Sequence, residues 1–119
     1  MISLEMAKKL KDAGLLWDPQ DGDWSHDPYR NQKIIMHNPS PLNDFDMYTW
    51  FPRLDQLLTE IELREYGYRL IGHTNDNGEE NNGLYLDKWN GKLWKYIIDF
   101  QSKYDDEATV AALLWVLEQ

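Results

Sequence analysis

Cysteine is absent from this sequence of 119 residues. Without thiols the chain cannot form a disulfide framework, a thiolate zinc site or a cysteine nucleophile, and the absence is compatible with a reducing compartment. Charged residues at positions 5, 8 and 9 interrupt the start of the chain, where a secretory leader would need an apolar segment. The longest apolar run, residues 110–117, falls far short of the roughly 20 residues that a bilayer helix requires. We therefore expect a cytoplasmic protein without membrane contact.

Basic residues are also scarce. Lys and Arg number 12 against 21 Asp and Glu, which gives a formal net charge of −9. Because such a charge repels phosphate polymers, we expect no nucleic-acid partner. Hydrophobic residues make up 42% of the chain, with six Trp, seven Tyr and three Phe, so a packed core is expected. The length predicts one domain over residues 1–119.

Motifs for phosphate binding, zinc proteolysis and serine hydrolysis are missing, and we expect no catalytic, cofactor-binding or metal-binding residues. The three histidines have no close-spaced ligand partner: His26, His37 and His73. Acidic residues in one loop could gather around a cation, although their spacing does not fit a calcium loop: Asp18, Asp21, Asp23 and Asp27. With 21 carboxylates, a hydrolase with an unrecognised carboxylate pair stays open as an alternative.

Apolar periodicity and capping residues predict three helices: one at 4–13 between the cap Ser3 and the stop Gly14, one at 54–65 with Gly67 as its stop, and one from Asp105 or Asp106 to 117. Short β-rich runs predict strands at 33–37, 47–51 and 68–74, followed by a hairpin at 84–100. Polar, Pro- and Gly-containing stretches at 18–32, 38–46 and 75–83 predict loops. We predict an α+β fold, an antiparallel meander of three to five strands packed with three helices, in the order α-β-β-α-β-β-β-α.

The hairpin contains Asn90-Gly91, the strongest short-range signal for a two-residue turn with both residues at positive φ. In that register Trp89 faces Lys92 and Tyr85 faces Tyr96, so one face is aromatic and the other is aliphatic and carries lysine. We expect the aromatic face, which Ile98 and Phe100 continue, to pack beneath the helices and to leave Lys88 and Lys95 in water. If the face is exposed instead, it becomes an interaction surface together with the last helix: Tyr85, Trp89, Trp94, Tyr96 and Trp115.

Three segments, SLEMAKKLKDAGLLW (3–17), WFPRLDQLL (50–58) and DDEATVAALLW (105–115), resemble small uncharacterised proteins of bacterial phages and prophages. The shared central motif, Pro-x-Leu-Asp-x-Leu-Leu, matches at Pro52, Leu54, Asp55, Leu57 and Leu58. The chain departs from the pattern at Arg53, where a capping Thr or Ser is usual, and at 106–107, which replace a Thr-Pro start. The resemblance implies a fold and a genomic setting but no activity.

We expect a non-enzymatic accessory protein of prophage type that acts through contact with a protein partner or as a homodimer. An acidic DNA mimic that inhibits a nucleic-acid enzyme is the first alternative, motivated by the small size and the charge of −9. The carboxylate hydrolase is the second.

Overall fold

The computed structural model describes residues 1–40, 45–74 and 76–119, with the backbone alone at position 73. Residues 41–44 of the predicted loop 38–46 and residue 75 of the predicted loop 75–83 lie outside this description. The chain divides into two compact units, Met1–Pro52 and Arg53–Gln119. The single domain over residues 1–119 stays a prediction.

The N-terminal unit combines one helix with a small antiparallel sheet. Its elements are α1 (Leu4–Asp12), β1 (Trp24–Asp27), β2 (Gln32–Ile35) and β3 (Thr49–Phe51). The strands lie in the order β2-β1-β3, and α1 packs against β3. Ala7 and Leu10 on α1 are buried together with Phe51 of β3, so the apolar stripe of the helix contributes to this core.

The helix α1 begins and ends as predicted. The Ser3 hydroxyl accepts a hydrogen bond from the Met6 amide at 3.2 Å, which satisfies one of the free N–H groups of the first turn. Gly14 follows the helix at φ +99°, a conformation that glycine adopts at no steric cost. The predicted cap and stop signals are both confirmed.

Strand β1 lies inside the stretch 18–32, which the sequence predicted to be a loop. Its turn into β2 is closed by the Asp27 carboxylate, which accepts from the amides of Tyr29 at 2.9 Å and Arg30 at 3.3 Å. Asp27 is 6% exposed and Ser25 is fully buried, so polar residues occupy the inward positions of this strand. The usual apolar alternation of a half-buried strand is therefore missing, which is why the prediction failed here.

The C-terminal unit is a three-stranded meander with two helices. Its elements are α2 (Leu54–Leu63), β4 (Tyr66–Thr74), β5 (Glu80–Trp89), β6 (Trp94–Ser102) and α3 (Asp105–Leu117). All pairing is antiparallel, in the order β4-β5-β6. α3 packs on β5 and β6, while α2 packs on β4 and on α3. Both helices are thus in contact with the sheet.

Fully buried aliphatic side chains from α2, β5 and α3 form the C-terminal core: Leu57, Ile61, Leu84, Leu86, Ala112 and Leu113. Each buried leucine contributes about 2 kcal/mol by removing apolar surface from water. Within α3 even Thr109 is buried, and its hydroxyl donates to the Asp105 carbonyl at 2.7 Å. The nearly all-apolar helix is therefore covered on several sides, as its sequence predicted.

The end of α2 differs from the prediction, which placed the stop at Gly67. The helix ends at Leu63, and Glu65 takes the left-handed conformation at φ +68°. β4 begins directly afterwards at Tyr66, so Gly67 lies within a strand.

The α+β class, the three helices and the C-terminal antiparallel meander are confirmed, and the predicted elements occur in the predicted order. Strand β1 is additional to the strands that were predicted.

Candidate interaction surface

The turn of the β5–β6 hairpin is longer than predicted. Trp89 pairs with Trp94 rather than with Lys92, so the loop comprises the four residues 90–93. The Asn90 side chain accepts from the amides of Lys92 at 3.0 Å and Leu93 at 3.1 Å, which caps the loop internally. Of the four loop residues, Gly91 is the one with a positive φ, +98°. The predicted two-residue turn, with Asn90 also at positive φ, is wrong because this side chain supports a wider loop.

An irregularity between Leu86 and Asp87 shifts the register once more. Asp87 pairs with Tyr96, whereas Leu86 pairs with Ile98 and Leu84 with Phe100, so β6 holds one extra residue. A shift of one residue exchanges the faces of all side chains beyond it. Ile98 and Phe100, expected on the aromatic face, therefore join Leu84 and Leu86 on the face that α3 covers.

The opposite face carries four aromatic side chains, Tyr85, Trp89, Trp94 and Tyr96, which we call the aromatic face. Trp89 and Trp94 lie side by side with ring centroids 5.7 Å apart, and Tyr85 and Tyr96 are 6.0 Å apart. Trp89 is 50%, Trp94 54% and Tyr96 49% exposed. The expectation that this face packs beneath the helices is wrong, because the helices cover the aliphatic face instead.

Gly67 of β4 provides the seat for Trp94. A Cβ atom at this position would lie 3.1 Å from Trp94 Cζ3 and 3.2 Å from Cε3, closer than side chains normally approach. The indole therefore rests directly on the backbone of the neighbouring strand. Because the ring gains contact area in this way, Trp94 is held against the sheet although half of it remains in water.

An arginine and a carboxylate extend the aromatic face across β4 and β5. Arg69 donates from Nε to Asp87 Oδ2 at 3.1 Å and from Nη2 to Oδ1 at 3.2 Å, a two-pronged bond that fixes the guanidinium plane. The guanidinium carbon also lies 5.4 Å from the centroid of the Tyr85 ring. The Asp87 side chain is only 13% exposed, so this pair is better shielded than an ordinary surface ion pair.

Tyr96 and Asp99 form a second polar contact on the same face. The Tyr96 hydroxyl donates to Asp99 Oδ1, and Gln101 Nε2 donates to Oδ2 at 2.8 Å. The hydrogen bond to Asp99 raises the pKa of Tyr96 above its ordinary 10.0. The same bond, with that from Gln101, lowers the pKa of Asp99 below 3.8. These bonds limit the rotation of Tyr96 and stiffen the aromatic face.

Lysines cluster around the tip of the hairpin at Lys88, Lys92 and Lys95. Lys88 lies over the Tyr66 ring, with Nζ 4.1 Å from the centroid. Within the described part of the chain, neither Lys92 nor Lys95 forms an ion pair. The tip is therefore locally basic on a chain whose net charge is −9.

Trp115, the fifth residue of the predicted surface, lies elsewhere. Its ring meets that of Tyr66 edge to face at 6.0 Å, on the side of the sheet that the helices cover. The structure thus brings together Tyr85, Trp89, Trp94 and Tyr96 and separates Trp115 from them. The sequence did not reveal the contributions of Gly67, Arg69 and Asp87 to this face. They depend on the pairing of β4 with β5, which places Gly67 opposite Asp87 and Arg69 opposite Tyr85 and which no local sequence pattern predicts.

The other candidate sites show structural contacts. Asp23 is 2% exposed and accepts from Trp17 Nε1 at 3.0 Å and from the Gln20 amide at 3.1 Å. His26 Nε2 lies 2.9 Å from Asn31 Oδ1, and the side chain of His73 lies outside the description. Among the described residues, no group of three or more His, Asp or Glu is arranged to hold a metal ion.

A polar cleft in the N-terminal unit brings Asp18 and Asp21 to one place. Asp18 accepts from Gln20 Nε2 at 3.3 Å, and Asp21 accepts from the Asn38 amide at 3.0 Å. Both carboxylates thus support the local chain. The hydrolase alternative stays a prediction.

The chain matches no protein-family model, and comparison with curated proteins and with solved structures likewise finds no match. The resemblance to prophage-type proteins therefore stays a prediction. None of the helices in the described ranges is both long enough and apolar enough to cross a membrane.

Proposed function

We propose that this protein is a non-enzymatic accessory protein, of the kind found in prophages, that binds another protein on its aromatic face. One observation carries the proposal: Trp89 and Trp94 are both about half exposed on a sheet face that neither α2 nor α3 covers. A large indole in water loses hydrophobic stabilisation, and adjacent exposed aromatics are typical of binding surfaces.

The composition of the face is that of a binding hot spot. Trp, Tyr and Arg dominate the energetics of protein interfaces, and here Trp89, Trp94, Tyr96 and Arg69 occur on one face. The Arg69 guanidinium is fixed by two bonds to Asp87, and the Trp94 ring is seated on Gly67. Because these side chains are already held in place, a partner loses little conformational entropy in ordering them.

The charge around the face selects the partner. Lys92, in the loop between Trp89 and Trp94, has no ion pair in the described part of the chain, so a partner with a carboxylate next to an apolar anchor would gain complementary charge. A nucleic acid fits less well. Lys88 and Lys95 are cross-strand neighbours on the helix-covered side of the sheet, whereas Trp89 and Trp94 lie on the opposite side. A nucleic acid could therefore not place its phosphates on these lysines and stack its bases on the tryptophans at the same face.

A random peptide library displayed on yeast tests this proposal, because it samples many combinations of anchor residue and charge at once. We expect selection on the intact protein to enrich peptides with an aromatic or aliphatic anchor flanked by Asp and Glu. Each of Trp89→Ala and Trp94→Ala should weaken the selected peptides about 30-fold, which corresponds to about 2 kcal/mol. Added salt should weaken them further through screening.

The matched control is Leu63→Ala, which removes a side chain that is 70% exposed at the end of α2, away from the aromatic face. Binding by this variant should equal that of the parent. Peptides that bind the two tryptophan variants as well as the parent, or that are basic rather than acidic, would contradict the proposal.

A further inference from the structure

A second feature of the molecule lies entirely within the N-terminal unit, independent of the aromatic face. It is a cavity of about 420 Å³ between α1 and the segment that leads into β3. This volume falls within the range of about 300–1,000 Å³ that is usual for small-molecule sites. Leu16 lies at its edge and is 85% exposed, so the cavity opens to solvent.

Four aromatic side chains line the cavity: Trp17, Phe45, Tyr48 and Trp50. The Trp17 and Trp50 rings are nearly parallel, with an interplanar angle of 7° and centroids 6.3 Å apart. Phe45 is tilted by 53° against Trp17, and Tyr48 meets Phe45 edge to face at 86°. Flat indole walls favour a planar aromatic ligand, which can stack in an offset arrangement.

The polar groups of the lining limit what the ligand can be. The Lys11 ammonium donates to the backbone carbonyls of Asp46 and Tyr48, the latter at 2.8 Å, and thereby joins α1 to the aromatic segment. Lys11 and Asp46 are the two charged residues of the lining, one of each sign. Neither sign of ligand charge is favoured, which indicates a neutral molecule.

Trp50 provides the specific signal. Its Nε1 is the one buried side-chain nitrogen or oxygen without a hydrogen-bond partner among the described residues. Trp17 differs, because its own Nε1 donates to Asp23. A buried donor without an acceptor costs about 1–3 kcal/mol, so such groups are rare unless a water or a ligand satisfies them.

We propose that this cavity binds a small, neutral, planar aromatic molecule with a carbonyl oxygen, which stacks on the indole walls and accepts the hydrogen bond of Trp50 Nε1. The nitrogen is closed to solvent in this structure, so the proposal requires the Trp50 indole to turn toward the cavity when the ligand binds.

Coumarin and naphthalene form a matched pair of probes, since both are planar bicycles and only coumarin carries a carbonyl. We expect the full-length protein to bind coumarin about fivefold to tenfold more tightly than naphthalene, the value of one hydrogen bond. In ¹H–¹⁵N spectra, coumarin should shift the Trp50 indole N–H signal downfield, whereas naphthalene should not.

Trp50→Phe keeps an aromatic wall but removes the donor, and it should abolish the preference for coumarin. Trp17→Phe is the matched control: its N–H is already bonded to Asp23, so both probes should weaken together and the preference should persist. The spectra of the unmutated protein give a readout even if a variant fails to fold. The proposal is overturned if neither probe binds or if both bind equally. It is also overturned if coumarin leaves the Trp50 indole N–H signal in place, which would mean that a water molecule rather than the ligand accepts this hydrogen bond.

Discussion

Both faces of strand β5 carry large apolar side chains, but the fold buries those of one face only. Leu84 and Leu86 are fully buried beneath the helices, whereas Trp89 is half exposed on the other side. Antiparallel sheets commonly bury one face and expose the other to solvent, but the exposed face is then usually polar. The difference indicates that the aliphatic face holds the unit together, while the aromatic face is available for a partner.

Truncation on each face should show the largest contrast. Leu86→Ala should lower the free energy of unfolding by about 2–5 kcal/mol, because it leaves a cavity in a site that is fully buried. Trp89→Ala removes more atoms but should cost only about 1 kcal/mol, mainly its contact with Trp94. Urea unfolding of the C-terminal unit within the full chain measures both, and equal losses would refute the assignment of the two faces.

Gly67→Ala should have an intermediate effect, of about 1 kcal/mol, since the new methyl group displaces the Trp94 ring. The same change in a Trp94→Ala background should be neutral or slightly stabilising, because alanine loses less backbone entropy than glycine. A double-mutant cycle in urea measures this coupling. If Gly67→Ala costs the same in both backgrounds, Trp94 does not rest on β4.

The smallest effect concerns pH. The pKa of Asp99 is lowered by the Tyr96 hydroxyl, so its carboxylate stabilises the folded state above the unfolded value of 3.8, and this contribution is lost as pH falls through the folded value. Tyr96→Phe should move the Asp99 midpoint up toward 3.8 in an NMR titration of the carboxyl carbon. An unchanged midpoint would mean that Tyr96 does not hold this position on the aromatic face.

Elements with strong local signals could be predicted from the sequence. Ser3 and Gly14 delimit α1 by chemistry that acts within a few residues, and the apolar residues of α3 required cover on several sides. The fold class followed from the order of such elements. The grouping of Tyr85, Trp89, Trp94 and Tyr96 was also accessible, because alternation along a hairpin places these side chains on one face.

The burial of that face was not accessible in the same way. The pairing of β5 with β6 depends on the four-residue loop that Asn90 supports and on the extra residue in β6. Both change which residues face each other across the hairpin, and residue propensities predict neither of them. Strand β1 was missed because buried Ser25 and Asp27 replace apolar residues. The role of Gly67 was misread because its need for space comes from Trp94, which is distant in the chain and adjacent only in the folded sheet.

Solvent access to the indole groups tests the central claim most directly. A soluble gadolinium relaxation agent, added to the full-length protein, broadens the N–H signals of exposed tryptophans in ¹H–¹⁵N spectra. We predict that the signals of Trp89 and Trp94 broaden strongly, while that of the buried Trp50 N–H is protected. If Trp89 and Trp94 are protected as well as Trp50, the aromatic face is covered within the chain itself and cannot be the surface that binds a partner.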